Sequence, residues 1–168
     1  MLTRRDLILK WTTYALVVLA FCFLHSITFA HMRLFRAIPF LPPVLLAAIC
    51  SLENDLQSSI FAIVFGVLCD LTLPGPFPCL YTVSFLLAAL VIVLLAHSVF
   101  QPGFFCSLAA VIVAFSVLDF FCALPLLLTA RASLTGAVSL FFRELLASSI
   151  LLLPCYPAFS FLRRMFTI

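Results

Sequence analysis

Charge is what this sequence has least of. Its 168 residues hold nine Lys+Arg and six Asp+Glu, 9% of the chain, where a soluble domain carries about a quarter. So few charges cannot cover a water-facing surface. They also exclude a disordered chain and leave nothing to neutralise a phosphate backbone, so a nucleic-acid binder is excluded too. The formal net charge of +3 is too small to point to an anionic partner. There is no CxxC among the cysteines at 22, 50, 69, 79, 106, 122 and 155, which removes the disulfide scaffold and the thiolate metal site. These cysteines sit in or beside apolar segments and read as small hydrophobes. His25, His31 and His97 are scattered, with no second ligand at metal-binding spacing. Neither a metal nor a cofactor is expected. GxSxG, the P-loop, GxGxxG and DxD are all missing, and nothing assembles a nucleophile with its base, so the chain does not read as an enzyme.

Apolar residues are what remains. They make up 66% of the chain, 20 of them Phe, and the mean hydropathy is +1.34. A spanning helix takes about 20 apolar residues, so the length allows about six spans and almost nothing besides. The expected fold is all-α, a polytopic membrane protein with six helices in one bundle and one domain over 1–168. The spans are expected near 11–30, 37–52, 59–73, 80–96, 104–128 and 137–162. The basic start, with Arg4, Arg5 and Lys10, precedes an apolar run too long for a signal peptide and reads as a retained first helix. The second span is short, with Pro39, Pro42 and Pro43 near its start, where a helix tolerates them. Pro74-Gly75-Pro76-Phe77-Pro78 reads as a turn. Six spans put both termini on one side with Arg4, Arg5, Lys10, Arg163 and Arg164, against Arg33, Arg36 and Arg131 on the other. The positive-inside rule then places the termini in the cytoplasm. No internal repeat suggests an inverted-repeat transporter.

An ionisable residue within a span is a functional hypothesis by default. Asp70, one helical turn beyond Gly66, reads either as a polar anchor where helices meet, or as a ligand carboxylate, or as a helix-end residue bonded to the proline turn. Gly66 itself would let a neighbouring helix approach closely. Asp119 falls near mid-span, the costliest place for a charge, and calls for a partner. Arg143 is the expected one, with Glu144 and Asp70 as rivals; a structural ion pair is the plainer reading, since no chain of titratable groups marks a proton path. Glu53 and Asp55 flank a short loop, either a contact for a partner or a solvated turn.

The order of these features resembles the rod shape-determining protein MreD family of bacteria. A proline-bearing second span (Ile38-Pro39-Phe40-Leu41-Pro42) leads to the acidic loop Leu52-Glu53-Asn54-Asp55, then to Phe65-Gly66-Val67-Leu68-Cys69-Asp70 ending a helix. A late acidic residue in Leu118-Asp119-Phe120, an arginine at Arg143 opening the last helix and a basic tail follow. One departure stands out. The family usually carries a glycine where the helix after the aspartate begins, and here that stretch is Phe77-Pro78-Cys79. The resemblance implies a non-enzymatic subunit of the cell-elongation machinery in the cytoplasmic (inner) membrane. Its partners would be the single-pass MreC and, directly or through it, MreB filaments and the peptidoglycan synthases. It also implies a layout similar to the substrate-binding subunits of energy-coupling-factor vitamin transporters. On that alternative Asp70, Asp119 and Arg143 would line a pocket under the proline turn, although such pockets usually offer more convergent polar groups.

Overall fold

The computed structural model describes residues 4–24, 39–53, 55–73, 77–98, 103–129 and 133–166. All of their regular structure is helical: α1 (Arg4–Leu24), α2 (Leu41–Leu52), α3 (Asp55–Thr72), α4 (Leu80–Ser98), α5 (Phe104–Leu128) and α6 (Leu134–Phe166). Two of these, Phe104–Leu128 and Leu134–Met165, are long and apolar enough to cross a membrane. The first helix begins at Arg4, seven residues before the expected span, and the last six residues of that span, 25–30, lie outside the described residues. So do His25, His31, Arg33, Arg36, Arg131 and the centre of the proline turn.

α2 sits in the middle. Its 12 residues rise only about 18 Å, yet all except Pro42 are buried. It packs against each of the other five helices. Pro42 and Pro43 fall in its first turn, where a missing amide hydrogen costs nothing. A helix apolar all round needs neighbours all round, and Val44 to Ile49 have no exposure at all.

Polar clasps hold both ends of α2. At its start the Phe40 amide donates to the Ser148 hydroxyl of α6 at 2.9 Å. At its end the hydroxyls of Ser51 and Ser107 share a hydrogen bond of 2.6 Å with α5. Each uses a serine of the neighbouring helix, a residue small enough to let the two segments come close.

α3 and α4 form the most intimate antiparallel pair in the bundle. Outside this core the surface is apolar. Leu56, Leu71, Phe105 and Leu128 are each more than 70% exposed, and α1 and α6 also turn Leu, Phe and Ile outward.

Candidate functional site

Glu53 caps the bottom of the bundle rather than a solvated turn. Its carboxylate accepts from the Lys10 ammonium at 2.6 Å and from the Tyr14 hydroxyl at 2.6 Å. Only 5% of its side chain is exposed. Lys10 and Tyr14 stand four residues apart on one face of α1. Lys10 also lies over the Trp11 and Tyr14 rings, 5.0 and 5.6 Å from their centroids. Trp11, Tyr14, Phe61 and Phe159 close round this latch, which secures α1 to α2, α3 and α6. Asp55 is the first residue of α3.

Gly66 and Asp70 both address the first turn of α4. A Cβ on Gly66 would overlap Cα of Thr82 and lie 2.9 Å from its amide nitrogen, so glycine is what allows the two backbones to touch. One turn on, Asp70 accepts from the amides of Tyr81 and Thr82, both at 3.0 Å, and from the Thr82 hydroxyl at 2.6 Å. A helix leaves its first amides without internal partners and carries a positive dipole end there. Asp70 supplies both the acceptor and the charge. Its partner is α4 itself, not the proline turn. Just before that turn of α4, Cys79 holds φ of 61°, the left-handed region that suits glycine. This is the place where the family resemblance expects one.

Asp119 and Arg143 do not pair. Oδ2 of Asp119 is buried with no hydrogen-bond partner, while Arg143 is exposed on the outer side of α6. Glu144, the next residue, is the half-buried one, an acid of the same sign and not a partner. The 3.6-residue helical repeat explains the miss. Adjacent residues on α6 point about 100° apart, so the face that brings Glu144 inward turns Arg143 out.

Asp119 instead looks into a cleft of about 350 Å³ between α5 and the start of α6. Cys122, Ala123, Leu126, Ala137, Leu140 and Phe141 form most of its wall. Ser133 is at the mouth, but its hydroxyl is already used, accepting from the Gly136 amide at 3.2 Å as the N-cap of α6. The carboxyl of Asp119 is the cleft's one acidic group. A second, larger space of about 590 Å³ lies between α1, α3 and the start of α2, with Val18, Cys22, Leu41 and Phe65 among its wall residues.

No family model, curated protein or solved structure matches this chain. Its chemistry must be read from its own residues. Among those described, no three His, Cys, Asp or Glu side chains stand close enough to hold a metal ion.

Sequence reasoning missed the partners more than the anchors. Lys10 was read only for its charge, and Tyr14 and Thr82 were not singled out. Ser51, Ser107 and Ser148 carry no signal beyond being hydroxyls in apolar runs.

Proposed function

We propose that this chain is a multi-pass scaffold of the bacterial cytoplasmic membrane, an MreD-like subunit of the elongation machinery. It spans the bilayer with six helices, α2 shielded at the centre, and keeps both termini in the cytoplasm. It binds an MreC-like single-pass protein and, with it, helps position MreB filaments and peptidoglycan synthases. It performs no chemistry of its own.

The observation that carries this reading is where the motif residues are spent. Gly66 and Asp70, the most specific part of the resemblance, join α3 to α4, and Glu53 joins α1 to the bundle. Such residues build a rigid body whose outside is left for other helices. The apolar exterior of α1 and α3–α6 is suited to lipid and to helix partners alike. The vitamin-binding alternative needs Asp70, Asp119 and Arg143 round one pocket. Only Asp119 lines the cleft, Asp70 is engaged with α4, and Arg143 faces outward.

Affinity purification of the tagged protein from its own membranes in mild detergent tests the proposal. Recovery of an MreC-like protein, MreB or a peptidoglycan synthase is the expected result. Recovery of paired ATPases with a large membrane coupling subunit would overturn it.

A further inference from the structure

We propose that the α5–α6 cleft is the seat of a spanning helix from another membrane protein, one that carries a lysine or arginine to meet Asp119. This rests on the scaffold reading and gives it a docking place.

The cleft lies between the two helices that are long and apolar enough to cross a membrane. Its walls are apolar, and Ala123, Gly136 and Ala137 keep them low. A Cβ at Gly136 would meet nothing but the Ser133 hydroxyl, so this side of α6 has room for another backbone. Small residues of this kind are how helices approach in lipid. The first half of α6 has almost no cover of its own: Leu134, Val138, Leu140 and Phe142 are all about half exposed or more.

Lipid tails can fill an apolar groove, yet they offer no donor to the buried Oδ2 of Asp119. An unpaired carboxyl in such a setting is costly. A basic side chain brought by a partner would meet this buried oxygen with both a donor and the opposite charge. Arg143 on the same helix is exposed and does not reach Asp119. A free small ligand would want several convergent polar groups, and here there are one carboxyl and the Ser133 hydroxyl at the mouth. A helix bringing one cationic side chain among apolar ones matches that inventory.

The test places a photo-reactive residue at Leu140, on the cleft wall, and a control at Leu90, equally exposed on α4. The full-length protein is irradiated in its native membranes and adducts are mapped by mass spectrometry. The expected adduct forms at Leu140 and not at Leu90. It maps to the spanning helix of a single-pass protein, within two turns of a Lys or Arg, and falls at least tenfold with Asp119→Leu. Asp119→Lys, combined with an acidic replacement of that partner residue, restores it, which a general folding defect could not do. Ala137→Trp, which fills the groove and spares the carboxyl, abolishes it. Adducts to lipid alone, to a second copy of this chain or to a helix without a basic residue would each overturn the inference. So would an adduct indifferent to Asp119→Leu. Elongation proteins that co-purify without any adduct at Leu140 would sink the cleft and leave the scaffold standing. An adduct to a single-pass protein outside that machinery would keep the cleft and overturn the scaffold.

Discussion

Gly66 of α3 rests directly on the backbone of Thr82 in α4, with no space for a methyl group between them. The neighbour is main chain, not a flexible tip, so it cannot step aside. Gly66→Ala should force the hairpin apart and cost about 1–3 kcal/mol, the usual range for overpacking. Thermal unfolding in detergent is the measurement. A variant that melts with the parent protein would mean the backbones do not touch.

Asp70 should matter through the same turn of α4. Asp70→Ala leaves two amides and a hydroxyl of Tyr81 and Thr82 without their acceptor, at about 1–3 kcal/mol. Its effect should overlap that of Gly66→Ala, because both loosen one contact. The double variant is then less damaged than the sum of the two.

The latch between Lys10 and Glu53 makes a sharper prediction. Both side chains are largely withdrawn, 13% and 5% exposed. Removing one partner strands the other, and Glu53→Ala or Lys10→Met should each cost about 3–5 kcal/mol. Replacing both by apolar residues should cost less than either. Strict additivity in detergent melts would show that the pair is not coupled.

Cys79 is expected to behave in the opposite direction. Its backbone is left-handed, a conformation that costs an L-residue about 1–2 kcal/mol. Cys79→Gly should therefore stabilise the protein by up to about 1 kcal/mol once glycine's greater freedom in the unfolded chain is counted. Cys79→Ala, which keeps the strain, should not.

Asp119 and Arg143 should act independently. With no contact between them, Asp119→Ala and Arg143→Ala ought to add to within about 0.5 kcal/mol. Asp119→Leu should leave the isolated protein as stable as the parent or more so, because it removes an unsatisfied buried polar atom. A marked loss of stability would reveal a partner for Asp119 within the chain.

Much of the helical plan is legible in the sequence. Turn signals fell where α3 gives way to α4, and the prolines before Val44 marked the entry to α2. Composition said membrane, and two helices meet the length and hydropathy required. What could not be read was pairing. Glu53 meets Tyr14 across 39 residues and Asp70 meets Thr82 across the turn, and no local pattern encodes such distances. Arg143 misled for a plain reason: being the one basic residue inside a span says nothing of which face of α6 carries it. The polar residues inside the bundle act mainly as clasps, and clasps are recognisable only once both halves are seen.

The shielded position of α2 has a consequence for how the molecule is made. Twelve residues rise about 18 Å, short of a bilayer's core. On the proposed six-span reading α2 therefore crosses only in the company of its neighbours, and both its ends are tied to helices synthesised later, through Ser107 and Ser148. On that reading α2 reaches its final surroundings only after α5 and α6 have been made. A lesion in the last helix would be felt first by one of the earliest.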